Sequence, residues 1–194
     1  HHHIARLARF DLLGDLRAFD PLDLAGFAAA ISPQTRVAML ESPGSLTMEV
    51  ADIPALCAIA RERGVISVID NTWATPLGFP ALARGCDISL MSLTKHVGGH
   101  SDLMLGSVSA AAPLLARIHS QAQFTGQVVS PDDAALALRG LRTMGIRLER
   151  GAACGLRIAQ WLSQRPQVAQ VLCPLLPGAP GHARGPMTSR RRSP

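Results

Sequence analysis

Lys95 is the only lysine in a chain that carries eighteen arginines. It sits in Ser92-Leu93-Thr94-Lys95-His96-Val97-Gly98-Gly99-His100-Ser101-Asp102, with two hydroxyls before it and a glycine pair after it. Arginine stays protonated, whereas a lysine amine can be desolvated, deprotonated and used as a nucleophile on a carbonyl carbon. A lysine kept where arginine serves everywhere else points to imine chemistry. The competing reading is a solvated side chain left over in an arginine-rich sequence. The hydroxyls and glycines around Lys95 weigh against it.

A second group extends that chemistry. Val65-Ile66-Ser67-Val68-Ile69 delivers Asp70, and the irregular stretch Asn71-Thr72-Trp73-Ala74-Thr75-Pro76 follows. An electron-sink cofactor with a pyridine ring needs a lysine for the imine, a carboxylate that keeps the ring nitrogen protonated, and donors for its phosphate. Lys95, Asp70 and the Ser92 and Thr94 hydroxyls match these roles, which makes pyridoxal 5'-phosphate the expected cofactor. Taken alone, Asp70 reads as a turn or capping aspartate, and Ser92 and Thr94 as strand-end hydrogen-bonding groups. Pairing with Lys95 reverses that balance. Trp73 is either a wall of the ligand pocket or a core aromatic. His96 and His100 lie four apart, but Gly98-Gly99 breaks any helix between them, so they read as loop histidines and no metal site is expected.

These residues need elements to hold them. The nearly unbroken β-branched run 65–69 has the pattern of a strand buried on both faces of a parallel sheet, and Ile88-Ser89-Leu90-Met91-Ser92 is a second such strand. A helix is expected over Pro21 to Ala30, opened near Asp20, and a strand over Thr35 to Leu40. A helix over Ala55 to Arg63 has Asp52 as its N-cap, Pro54 just inside and Gly64 at its end. Leu103 to Val108 reads as a strand and Pro113 to Ser120 as a helix. Two helical stretches, Ala134 to Arg142 and Leu148 to Ser163, carry apolar residues at core spacing. The order is that of an α/β domain, whose sheets bind ligands beyond the carboxyl ends of their strands. Asp70 and Lys95 both fall at such ends. From Pro174 the chain becomes rich in Pro and Gly and is expected to be poorly packed.

Composition bounds the rest. At 194 residues and 47% apolar content, the chain can build one domain with a real core. Of the formal charge of +5, Arg184, Arg190, Arg191 and Arg192 supply four with no acid among them, so the body predicts no nucleic-acid partner. Four scattered cysteines without a C-x-x-C pair suggest neither zinc nor a disulfide framework, and fit a reducing cytoplasm. There is no apolar run of membrane-spanning length and no signal-peptide pattern at the start. His1-His2-His3 reads as a tag remnant or an accident of sequence.

Three blocks carry a resemblance: Glu41-Ser42-Pro43-Gly44-Ser45-Leu46-Thr47-Met48-Glu49-Val50, Asp70 to Pro76, and Ser92 to Asp102. In order and spacing they resemble the pyridoxal-phosphate-dependent enzymes of cysteine and methionine metabolism, from about Phe19 to about Ala183. The resemblance implies a fold-type I large domain, partial here, with a mixed, mostly parallel sheet flanked by helices. Residues 19–165 would form the C-terminal part of that domain with its linking helix, and 166–194 the start of a small domain followed by a divergent basic tail. Residues 1–18 have no counterpart.

The resemblance also implies Lys95 as Schiff-base residue and proton shuttle, Asp70 as pyridinium partner, and Ser92 with Thr94 as phosphate ligands. Its implied substrate is a small sulfur amino acid, and its implied assembly a homotetramer built from active dimers. The Glu-Ser-Pro-Gly-Ser-Leu-Thr-Met-Glu-Val block and the tryptophan of the second block are the form seen in β-eliminating members, which take cystathionine to homocysteine, pyruvate and ammonia. The γ-lyases and γ-synthases of the family are the enzymatic alternative, and a non-catalytic remnant is the other. Members are about twice this length. The chain has no tyrosine and no match to the family's N-terminal phosphate loop or to the arginine of its small domain. Apolar faces that those parts cover are therefore expected to be exposed.

Overall fold

The computed structural model describes residues 14–182; the leading histidines and the arginine-rich tail lie outside them. Strands β1 (Val37–Glu41), β2 (Ile66–Asp70), β3 (Ile88–Ser92) and β4 (Gly106–Ala110) form one sheet in that order. β1, β2 and β3 run parallel, and β4 pairs antiparallel with β3. The sheet is therefore mixed and mostly parallel. Glu41 lies opposite Asp70, and Asp70 opposite Leu90, which brings the carboxyl ends of three strands to one edge.

Helix α1 (Leu24–Ala30) is shorter than the sequence suggested, because Asp23 rather than Asp20 accepts the capping N–H, from Gly26. Helix α2 (Ile53–Glu62) begins where expected, with Asp52 accepting from Ala55 N–H and proline in the first turn. Ile53, Leu56, Cys57 and Ala60 of α2 join Ala38, Leu40 and Ile69 of the sheet and Phe27 of α1 in the main core. Cys57 and Cys86, distant in sequence, meet there with their Sγ atoms 3.4 Å apart. The shared S–H contact lowers the Cys57 thiol pKa and raises that of Cys86, which burial pushes further up. A short helix α3 (Thr75–Gly78) and a 3₁₀ turn (Leu82–Arg84) lead to β3.

Beyond the sheet, α4 (Ala112–Phe124) leads to α5 (Pro131–Leu162). The two helical stretches expected there are one helix of 32 residues, about 48 Å long at the usual rise. Gly145 does not break it: an isolated glycine costs only about 1 kcal/mol in a helix, and the contacts around Gly140 and Met144 hold that stretch. Ser130 caps it by accepting from Asp133 N–H, with Asp132 and Asp133 in its first turn. The strand expected at Leu103 to Val108 begins later, at Gly106, because Leu105 turns its backbone to Leu93 and Thr94. The segment after Pro174 also departs from expectation. Val50 N–H donates to the Pro180 carbonyl at 2.9 Å and His182 Nδ1 to Pro174 O at 3.1 Å, so it is pinned as far as residue 182. No described helix is long and apolar enough to cross a membrane.

The contact that places the lysine loop is between α5 and the backbone after β3. Met144 and Ala137 of α5 pack on Val97 and Leu103. Arg147 donates to the carbonyls of His96 (2.8 Å), Val97 (3.2 Å) and Gly140 (2.8 Å), and its Nε to Thr143 Oγ1. Gly140 is the crossing point. A Cβ there would lie 2.0 Å from Val97 O and 2.4 Å from Gly98 O.

Two outcomes follow from this contact. Gly to Ala normally stabilises a helix interior by up to about 1 kcal/mol, but Gly140→Ala will destabilise by about 3 kcal/mol as helix and loop separate, measured by urea unfolding. His96 has its pKa lowered by burial and then by the Arg147 and Lys95 charges. Its folded pKa lies below the unfolded value, so the unfolded chain binds more protons just under pH 6.5. Stability is therefore full above that pH and falls as pH drops towards the folded pKa. Unfolding curves between about pH 7 and 5 should show this slope, and His96→Gln should flatten it.

Candidate active site

Asp70, the last residue of β2, is carried to the sheet edge by a strand whose Ser67, Val68 and Ile69 are buried. Its Oδ1 accepts from Thr72 N–H at 3.0 Å, an Asx-type turn at the strand end. Oδ2 has no hydrogen-bond partner among the described residues. The turn then tightens: Thr75 N–H donates to Asn71 O at 2.8 Å, and Asn71 Nδ2 to Phe79 O at 2.9 Å. Thr75 takes a φ of +57° and is fully buried, so packing holds it in a left-handed conformation that a β-branched residue rarely adopts.

Ser92 ends β3, and its N–H donates to Thr72 Oγ1 at 2.8 Å. Its own hydroxyl has no partner among the described residues. Thr94 is engaged: its hydroxyl accepts from Leu105 N–H at 3.0 Å and lies 3.3 Å from Leu105 O. The local hydrogen-bonding role that the sequence left open for Thr94 is thus present. Lys95 begins a tight turn in which its N–H donates to Ser92 O and Gly99 N–H to Lys95 O. The lysine is exposed.

Asp70, Ser92 and Thr94 line one open cleft of about 770 Å³, together with Leu90, Met91, Met104 to Val108, and Val128 and Val129 from the α4–α5 connection. Lys95 lies just outside this lining, one residue from Thr94. Consecutive Cα atoms are about 3.8 Å apart, so its backbone is one step along the chain from a residue of the cleft wall. Trp73 is neither cleft wall nor core: it is 40% exposed and belongs to neither cluster. His96 and His100 remain loop histidines, His100 Nδ1 donating to Gly98 O. No described group of three His, Cys, Asp or Glu could hold a metal ion.

Two residues that build the site were not apparent from sequence. Thr72 joins Asp70 to Ser92, and its only signal was a position two after the aspartate. Arg147 reaches the lysine loop from 51 residues away, and nothing local marks it among eighteen arginines.

Comparison with known proteins places this geometry. The chain is 44% identical over 166 residues to cystathionine beta-lyase MetC of Escherichia coli strain K12, covering 84% of this chain and 42% of that protein. It is 45% identical over 167 residues to cystathionine beta-lyase of Salmonella typhimurium, covering 85% and 42%. Among solved structures, cystathionine gamma-lyase from Lactobacillus plantarum, complexed with L-serine, superposes with a TM-score of 0.88 at 32% identity, over 93% of this chain and 48% of that one. The chain thus spans less than half the length of each of these three relatives. Residues 10–191 match the model of the Cys/Met metabolism PLP-dependent enzymes, and with a shared fold and more than 40% identity to its members, the chain belongs to that family, whose cofactor is pyridoxal phosphate.

Proposed function

We propose that this chain carries the lysine, the ring-nitrogen partner and part of the phosphate cradle of a carbon–sulfur lyase that cleaves cystathionine by α,β-elimination. The products are homocysteine, pyruvate and ammonia. The observation that carries this reading is the placement of Asp70, Ser92 and Thr94 on one cleft, with Lys95 as the next residue. The donor set fits pyridoxal phosphate. A cleft of about 770 Å³ is within the usual range of small-ligand sites. Asp70 Oδ2 is available to a cationic ring N–H, and the Ser92 hydroxyl to a phosphate oxygen.

When bound, pyridoxal phosphate supplies a cationic ring that takes up the electron pair released as the substrate Cα–H bond breaks. Asp70 would hold the proton on the ring nitrogen through Oδ2 while Thr72 N–H fixes Oδ1. Ser92 Oγ would donate to the phosphate. Thr94, whose oxygen already accepts from Leu105 N–H, would donate its hydroxyl proton to the same group. Lys95 Nζ would hold the cofactor through its aldehyde carbon and, once the substrate amine has replaced it there, would take the proton from Cα and hand one to the departing sulfur. Arg147 keeps the backbone beneath that amine in place.

Identities of 44% and 45% to two cystathionine beta-lyases support β-elimination. The γ-lyase superposition keeps γ-elimination as the second reading, and products separate them: pyruvate for β, 2-oxobutanoate for γ. Assembly with further copies or with the remaining segments of a longer chain is part of the proposal. It is supported by the exposed apolar residues Phe124, Val128, Ile146 and Trp161 on and beside α4 and α5.

Titration of the purified chain with pyridoxal phosphate, followed by borohydride reduction and peptide mapping, should give a near-visible band and a reduced adduct on Lys95. Lys95→Arg should give neither. Asp70→Asn keeps the turn and should retain the adduct, yet slow exchange of the substrate Cα proton with solvent by about 100-fold, followed by NMR in deuterated buffer. Absence of any adduct in the parent chain would leave the lyase chemistry to longer relatives and make this chain a remnant of them.

A further inference from the structure

We propose that Thr72 is a positioning residue that fixes the phosphate-side donors at a set span from Asp70, by accepting the Ser92 N–H on its hydroxyl while its own N–H holds the carboxylate. This rests on the roles proposed above for Asp70, Ser92 and Thr94. The parallel ladder between β2 and β3 ends at Asp70 and Leu90, with Asn71 N–H donating to Leu90 O. Beyond it the chain of β2 turns away into the Asn71–Thr75 turn and offers β3 no further backbone acceptor. Ser92 N–H would be left without a partner, and Thr72 Oγ1 supplies one at 2.8 Å. A side chain thus extends the ladder by one rung, at the place where strand becomes cleft.

The rung connects both ends of the site. On one side, Thr72 N–H lies 3.0 Å from Asp70 Oδ1. On the other, Ser92 O accepts from Lys95 N–H, so the lysine turn hangs from the same residue that Thr72 holds. Thr72 is 6% exposed and its bond to the half-buried Ser92 N–H is partly shielded from water, so that N–H, deprived of its acceptor, carries part of the cost of its desolvation. Thr72→Val keeps shape and removes only the acceptor. Ser92 then moves to find another partner, and the phosphate donors move with it, while the backbone bond to Asp70 survives.

The test compares pyridoxal phosphate with pyridoxal, which has the same ring and aldehyde but no phosphate. In absorbance titrations of the full chain, Thr72→Val should weaken pyridoxal phosphate about tenfold and change pyridoxal by less than about twofold, with Thr72→Ser behaving as the parent. Equal weakening of both compounds, or of neither, overturns the proposal, because a residue that only supports folding would act on both alike. Deuterium exchange gives a cofactor-free arm: the Ser92 amide should exchange about tenfold faster in Thr72→Val while Ile69 is unchanged. An unchanged Ser92 amide sinks the strut itself. If the parent chain binds neither compound, the cofactor reading fails and the positioning role with it, even where the exchange arm shows the rung.

Discussion

Arg147 holds the site together. Three carbonyls converge on its guanidinium, two from the lysine loop and one from its own helix, and charge-assisted bonds of this kind are stronger than neutral ones. The planar fork suits this task, since it can reach several acceptors at once where a lysine ammonium would act as a point charge. Gly140 makes the approach feasible, because only a residue without Cβ lets the helix backbone come against Val97 and Gly98. Gly99 makes a matching allowance on the loop, where a Cβ would strike the guanidinium itself. The arginine, the two glycines and the apolar pair Ala137 and Met144 are thus one packing solution with several parts.

The sheet supplies the other constraint. Parallel register aligns the carboxyl ends of β1, β2 and β3, so residues far apart in sequence arrive at one edge without needing long loops. Burial of Ile69 fixes which way Asp70 points, as successive side chains on a strand alternate between faces. The cluster beneath, built from α1, α2 and one sheet face, contains no residue of the cleft lining. The smaller cluster under the lysine loop does reach it, since Met91 and Leu105 both pack on that cluster and line the cleft. Substitutions in the main core act on stability, whereas those at Met91 and Leu105 act on stability and binding together.

Much of this was legible in the sequence for local reasons. The runs at 65–69 and 88–92 are mostly apolar, broken only by serines, and read as strands; β2 is buried as expected at Ser67, Val68 and Ile69, whereas every residue of β3 is only half-buried, because its neighbour β4 is the edge strand. Asp52, Pro54 and Gly64 mark α2 by chemistry that needs no tertiary partner. What could not be read depends on distant contacts. α5 runs through Gly145 because the packing around Gly140 and Met144 outweighs a glycine's weak preference. The Pro- and Gly-rich stretch after Pro174 is pinned by the backbone of Val50, which no composition rule anticipates. Thr94 carries a hydroxyl in the right place, yet its first partner is Leu105, visible only once β4 has folded back on β3.

The single lysine has a consequence for how the chain meets proteases. An endoprotease specific for lysine finds one susceptible bond in 194 residues, that between Lys95 and His96. The lysine side chain is exposed, but the carbonyl of His96 is held by Arg147 and that of Lys95 by Gly99 N–H. The backbone there cannot extend into a protease cleft while those bonds persist. Cleavage at that one position is thus gated by release of the loop from α5, and the chain contains its own single-site reporter of whether the lysine is seated.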